Sequence, residues 1–272
     1  MVLCALGDLM LDVVSRPEQP PARGDDVPGQ IQVGAGGQAA NVAAWAAALG
    51  AEALLVAKRG DDAAGRLAAA EVEARGVRLL GPVGHGSSGV VVSTVEADGE
   101  RTIVSAPGVA PELRSQELRM EWFRGCDVLY LSGYALLRRP IDEAGAKAAG
   151  AVRAQGGSVA VDLATWTAIR SFGPGRFRAR LATLEPDVCF AGERELAELG
   201  GRPQAATLVV KRGAAGVVVE RDGGVVELAS RAAEVVDSTG AGDAFAAGYL
   251  VGGVDVGLEA AARCLARLGS MP

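Results

Sequence analysis

Residues 237–245 read DSTGAGDAF, two acids, two hydroxyls and two glycines set between an extended β-branched run and an apolar helical stretch. With AAEVV (232–236) as a strand and DAFAAGYLVG as a helix, Gly240, Ala241 and Gly242 sit at the helix start. There the first backbone N–H groups lack intrahelical acceptors and the helix dipole favours an anion. Small side chains let a phosphate come close to that backbone, and Asp243, just inside the helix, can reach whatever the amides hold. A carboxylate within hydrogen-bond reach of an alcohol, beside an anion cradle, is what phosphoryl transfer to a hydroxyl requires. The plainer reading is a capped helix, with Asp237 or Ser238 as the cap, Asp243 complementing the dipole and the glycines permitting close packing.

A second stretch, GAGGQAANVAAWAAALG (34–50), invites a different chemistry. Gly34, Gly36 and Ala39 fit the G-x-G-x-x-A dinucleotide fingerprint, and Lys58-Arg59 after the next strand would suit a 2′-phosphate, so an NADP-dependent oxidoreductase is the alternative. That fingerprint should follow the first strand of a βαβ unit at once, whereas residues 7–33 intervene here. A non-catalytic ligand-binding relative, such as a sugar sensor, is a third possibility, against which the presence of Asp243 argues.

Composition removes other classes. The 272 residues carry a net charge of −6 with no stripe of Lys or Arg, which speaks against a nucleic-acid partner. One histidine, His85, excludes chemistry that needs two imidazoles or a His-rich zinc site. Four scattered cysteines, Cys4, Cys126, Cys189 and Cys264, give no metal-ligand spacing and fit reduced thiols in a cytoplasmic protein. Acids arrive too early in MVLCALGDLMLD for a signal peptide, and no run of about 18 uncharged apolar residues suggests a membrane span. No G-x-x-x-x-G-K-[ST] occurs, so a P-loop mechanism is not available.

The elements that must position these residues form a clear rhythm. Apolar runs VLCAL, ALLVA, DVLYL, SVAVDL, DVCFA and TLVVK alternate with helical patterns at 38–49, 62–75, 140–155 and 192–199. This predicts an α/β fold with a doubly wound, mainly parallel sheet covered on both faces, as one domain over 1–272. Two places break the rhythm. Residues 12–34 contain two strand-like pieces in a Pro- and Gly-rich setting, and 88–106 reads as a hairpin whose Asp98-Gly99 suits a type I′ turn. Together they predict either a small β-sheet lid or an edge extension of the main sheet. A second hairpin spans 216–228, and the last helix is expected at 257–268.

DSTGAGDAF resembles, over its whole length, the C-terminal signature of the ribokinase-like sugar kinases, the PfkB carbohydrate kinase family. The first glycine-rich block, RGDDAAGRLAAAEVEARGV (59–77) and VVKRGAAGVVV (209–219) are similar to further family blocks, in the same order. The resemblance implies a ribokinase-like fold and an ATP-dependent, Mg2+-requiring kinase of a small sugar, sugar acid or related polyhydroxy compound, with a nucleoside as another acceptor. It implies Asp243 as general base, the amides of Gly240, Ala241 and Gly242 as anion hole, and Asp12, Gly36, Gly37 and Asn41 as substrate-binding residues. On the nucleotide side it implies Lys211, Gly213 and Glu195, the last acting on magnesium only through water, although Gly192 stands where the family commonly has Asn. Arg101 is a candidate lid contact or a surface charge, Trp166 a pocket wall or packing, and the lid strands imply a homodimer.

Overall fold

A computed structural model describes all residues except 22, 25, 97–100, 164 and 232–234. Strands β1 (Val2–Leu6), β2 (Met10–Pro17), β3 (Gly29–Gly36), β4 (Glu52–Val56), β5 (Arg59–Gly60), β6 (Arg78–Leu80) and β7 (Val83–Gly84) come first. They are followed by β8 (Gly89–Val95), β9 (Arg101–Ala106), β10 (Val128–Ser132), β11 (Ser158–Asp162), β12 (Val188–Gly192), β13 (Thr207–Lys211), β14 (Val217–Arg221) and β15 (Gly224–Leu228).

Nine strands build the large sheet in the order β15-β14-β13-β12-β11-β10-β1-β4-β6, with every pairing from β6 to β13 parallel and the hairpin β14-β15 closing one edge antiparallel. The short apolar strands have both faces covered. Cys4 and Leu6 of β1 enter one core and Leu3 and Ala5 the other, as the two-residue side-chain period demands. Strand order reverses at β1, which has β4 on one side and β10 on the other. At such a switch point loops diverge and open a crevice beyond the carboxyl ends of the strands.

The segments that broke the rhythm form a separate four-stranded sheet, β3-β2-β8-β9, in which β2 pairs antiparallel with β3 and parallel with β8. Strands β8 and β9 are antiparallel, while the Asp98-Gly99 turn between them lies outside the described residues. Two expectations fail locally. The last helix runs Val254–Leu265, three residues early, because Gly253, at φ 84°, ends the preceding helix and the chain after Leu265 is tied through Gly269 to Asp237 and through Ser270 to Asn41. Of the strand expected at 232–236, residues 232–234 lie outside the described set. Val235 and Val236 are not in a strand, since the Val236 amide bonds the Leu265 carbonyl at 2.8 Å. No described helix is long and apolar enough to cross a membrane.

Candidate active site

The carboxyl ends of the parallel strands and the inner face of the small sheet enclose a cavity of about 380 Å³, within the range of small-molecule sites. Asp8 follows β1, Tyr134 follows β10, and Asp162 and Lys211 end β11 and β13; all four line it. From the small sheet come Met10, Asp12, Val91, Arg101, Ile103 and Ser105. Register explains the choice, because Asp12 stands opposite Val91 and Val91 opposite Ser105, so one face of three neighbouring strands looks inward.

The helix Ala241–Gly252 starts at Gly240, whose φ of 77° is left-handed and whose missing side chain makes room for the Ser270 Cβ, 2.6 Å from where a Cβ would stand. Any other residue at 240 would meet both strain and collision. The Ala241 amide turns back to the Ser238 carbonyl at 3.5 Å and the Ala244 amide to the Gly240 carbonyl at 2.8 Å. This leaves the Gly242 and Asp243 amides at the open end of the helix. Asp237 is fully buried and holds the turn from inside: one carboxylate oxygen accepts the Thr239 amide (2.8 Å) and hydroxyl (2.6 Å), the other the Gly269 amide (2.9 Å). Sequence assigned Asp237 to the turn alone; it also ties the end of the chain to the site.

Asp243 accepts a 2.7 Å hydrogen bond from Asn41 Nδ2, and Asn41 Oδ1 in turn accepts the Ser270 hydroxyl at 3.0 Å. The amide of Asn41 is thereby fixed in orientation, and one oxygen of Asp243 remains for another donor. Burial pushes the Asp243 carboxyl up to about 7, against the Asn41 bond and the Lys211 charge and with the help of Asp162 and Asp8. Asp12 is also raised to about 7 by burial and by Asp8, the Ser270 hydroxyl and Arg101 opposing. Its Oδ1 is buried without a hydrogen-bond partner, a costly state that a ligand hydroxyl would relieve.

Gly36 and Gly37 hold the other side. A side chain at Gly36 would collide with the Asp12 carboxylate, and Gly37, at φ 99°, would place a Cβ 2.7 Å from the Asp8 carbonyl oxygen. Asp8 then caps the helix Gln38–Ala48, accepting the Gln38 amide at 3.0 Å and the Ala39 amide at 3.5 Å. Gly37 and Asn41 line the cavity; Gly36 supports Asp12 from behind.

Toward the hairpin edge of the sheet, Lys211 Nζ lies 2.5 Å from Asp162, whose side chain is buried. Burial alone would depress this ammonium, but Asp162, Asp243 and Glu195 outweigh it and hold it above its ordinary value. The ammonium stands 3.2 Å from where a Cβ on Gly242 would be, so a side chain there would crowd it. Glu195 and Gly213 do not line the cavity. Glu195 folds back to accept the Gly192 amide, and a side chain at 192 would collide with it, so Gly192 is what allows the carboxylate this position. Burial raises the Glu195 carboxyl, with Lys211 pulling it down. Gly213, at φ 55°, opens the short turn before β14 onto free space.

Arg101 is not a plain surface charge, since its Nη1 donates to the Ser238 hydroxyl at 2.8 Å, joining the small sheet to the DSTGAGD turn. Trp166 is packing: its ring lies under Arg170 at 4.9 Å and it does not line the cavity. Asp8, Tyr134, Arg138, Asp162 and Ser270 were not singled out by sequence, because each is a common residue type brought in by topology.

The residues fit a nucleoside triphosphate, with an open helix start, two glycines that keep it clear and a lysine above it. Among the described residues no group of three or more His, Cys, Asp or Glu could hold a metal ion. Magnesium would be carried on nucleotide phosphates, and Asp162, Asp243 and Glu195 are the carboxylates whose charges act on Lys211 beside them.

The dinucleotide alternative fails on topology: Gly34 and Gly36 belong to β3, a strand of the small antiparallel pair, and not to the first strand of a βαβ unit. Comparison with known proteins identifies the family. A curated relative named ATP-dependent ribose-1-phosphate kinase, from Halopiger xanaduensis, is 34% identical over 275 residues, covering 95% of this chain and 88% of its own. Aminoimidazole riboside kinase of Salmonella typhimurium is 31% identical over 241 residues, covering 79% and 72%. A protein assigned as ribokinase II from E. coli, solved in complex with ATP and Mg2+, superposes with a TM-score of 0.84 at 20% identity over 99% of this chain and 94% of that one. Residues 2–271 match the pattern described as pfkB family carbohydrate kinase, the same span that the two sheets and their crevice occupy, and the chain belongs to that family of carbohydrate kinases.

Proposed function

We propose that the chain transfers the γ-phosphoryl group of ATP to a primary hydroxyl of a small sugar, sugar acid or related polyhydroxy compound, in the cytoplasm. The observation that carries this is Asp243, held by Asn41 at the open start of the helix Ala241–Gly252 and raised to about 7. A base near neutrality is ionised enough to act and basic enough to take a proton. Asp243 accepts the hydroxyl proton as the oxygen attacks, while the backbone at Gly240 and Gly242 and the Lys211 ammonium face the charge on the transferring group; Ala241, whose amide is turned to the Ser238 carbonyl and which does not line the cavity, contributes the small side chain between them. Asp12 and Asn41 orient the acceptor by bonding its other hydroxyls, Gly37 keeps the floor of that pocket clear, and Gly36 leaves room behind it for the Asp12 carboxylate. Magnesium carried on the nucleotide would supply charge neutralisation at the phosphates, and Glu195 would act on it through water; Gly213 lets the nucleotide approach the turn before β14.

The test is a coupled ADP-release screen over pentoses, hexoses, sugar acids, sugar phosphates and nucleosides. Turnover of at least one, requiring ATP and Mg2+, is the expected outcome; ATP-independent chemistry or no turnover would reject the reading. A nucleoside acceptor is the second reading, favoured by Tyr134, an aromatic side chain 37% exposed at the cavity wall and suited to stacking. The relative that acts on an aminoimidazole riboside is consistent with it.

The small sheet serves as a lid and as a dimer surface. Register places Val33, Val13, Val92 and Val104 in one row across its outer face. Val33, Val92 and Val104 are 48%, 45% and 70% exposed, an apolar stripe that a second copy would cover. Light scattering should give a dimer for the native protein and a monomer for Val104→Asp; a native monomer would remove the proposal.

A further inference from the structure

We infer that the acceptor is a sugar monophosphate, and that Arg138 and Arg101 bind the phosphate it already carries. The inference rests on the kinase reading for its transfer step, and on geometry and charge for its binding step.

The cavity wall bears three cations, and they are not equivalent. Lys211 is engaged by Asp162. Arg101 reaches in from β9 and is held by a neutral hydroxyl, that of Ser238, so its charge is not cancelled by that contact. Arg138 follows β10 on the main domain, beside Tyr134 and Ile141 of the wall, and its side chain has no ion pair or hydrogen bond among the described residues. Its neighbours differ sharply. Arg139 pairs with Asp142 and Glu143, and Arg180 lies 2.7 Å from Asp142. The acid that could have served Arg138 is thus taken up by two other arginines, and the guanidinium facing the cavity keeps its charge.

A neutral sugar does not call for this. Its hydroxyls are served by Asp12, with its unpartnered oxygen, and by Asn41. Two guanidinium groups, one from each sheet's side of the cavity, match a phosphate, which accepts bidentate charge-assisted hydrogen bonds from Arg. Asp8, Asp12 and Asp243 give the rest of the wall the opposite sign, so an anionic acceptor is favourable only with its charge at the arginines, which fixes which end meets Asp243. In the transfer, the free hydroxyl oxygen bonds the γ-phosphorus as the bond from that phosphorus to the β,γ-bridging oxygen breaks. The hydroxyl proton goes to Asp243 and ADP leaves, giving a sugar bisphosphate.

Binding and turnover test separate halves. Calorimetry without nucleotide should show ribose 1-phosphate or ribose 5-phosphate binding at least 10-fold more tightly than ribose. Arg138→Gln should weaken that binding, and raise KM for the sugar phosphate, about 10- to 100-fold, while KM for ATP stays within about twofold. Arg138→Lys should recover part of the loss, because the charge remains without the planar fork. Equal binding of ribose and its phosphates, or a nucleoside preferred over both, would overturn the inference. So would an Arg138→Gln variant, shown folded by an unchanged Tm, whose defect lies in KM for ATP. Tight binding of a sugar phosphate without ADP release would sustain the phosphate subsite and reject the kinase reading, so the two failures are distinguishable.

Discussion

Replacement of Asp243 by Asn is expected to lower kcat by about 10²–10⁴, the range for loss of a positioned general base. An amide keeps the size of the side chain and can still accept from Asn41, so the helix start and its cradle stay in place. Only the capacity to take a proton disappears. Nucleotide affinity, followed by fluorescence or calorimetry, should therefore change little while turnover collapses. In the native enzyme the acid limb of kcat/KM should rise with pH and level off above about 7, since the carboxylate must be ionised before it can accept the hydroxyl proton. The residual activity of the variant should lack that limb. Near-native turnover, or an unchanged acid limb in Asp243→Asn, would remove Asp243 from the base role and move attention to Asp12, the other cavity carboxyl raised to about 7.

The parts of this site legible in the sequence are those in which neighbours along the chain are neighbours in space. Gly240 to Asp243 occupy one helix start, so their cradle-plus-acid arrangement follows from helix geometry before any tertiary contact is known. Met10 to Asp12 and Gly34 to Gly36 are paired across one hairpin, β2-β3, and the need for glycine against the Asp12 carboxylate is again a short-range matter. What sequence did not yield is whatever the topology alone assembles. Ser270 stands beside Gly240 and Asn41 because Asp237 captures the Gly269 amide, and no spacing rule connects 41, 237, 240 and 270. Asp8, Tyr134 and Asp162 converge, beside the expected Lys211, because β1, β10, β11 and β13 are parallel and end on one edge of the sheet. Glu195 shows the converse. A motif position locates a residue along the chain but not the direction of its side chain, and here the carboxylate turns back to its own helix start instead of lining the cavity.

The substitution expected to lower turnover should also stabilise the fold above neutrality. Asp243 has an ordinary carboxyl value of 3.8 and about 7 in the folded chain, with burial as the main cause. A raised acid means that the folded state binds the proton more tightly than the unfolded one. Its contribution to stability is full below about 4 and is lost as pH climbs to about 7, beyond which the folded protein carries a buried carboxylate at its full cost. Such a shift corresponds to the order of 4 kcal/mol. Asn removes this liability and keeps the bond to Asn41. Thermal unfolding of unliganded protein should therefore show Asp243→Asn melting several degrees above native at pH 8, at about 2–4 °C per kcal/mol for a chain of this size. The gap should shrink as pH falls from 7 to 5 and close near 4. Asp12→Asn should behave alike, because burial and Asp8 raise that carboxyl over the same interval. A variant less stable than native at pH 8, or a gap constant with pH, would show that these carboxylates are stabilised as anions in the empty site. A carboxylate that costs stability until its ligand arrives is the trade expected of a residue kept for chemistry.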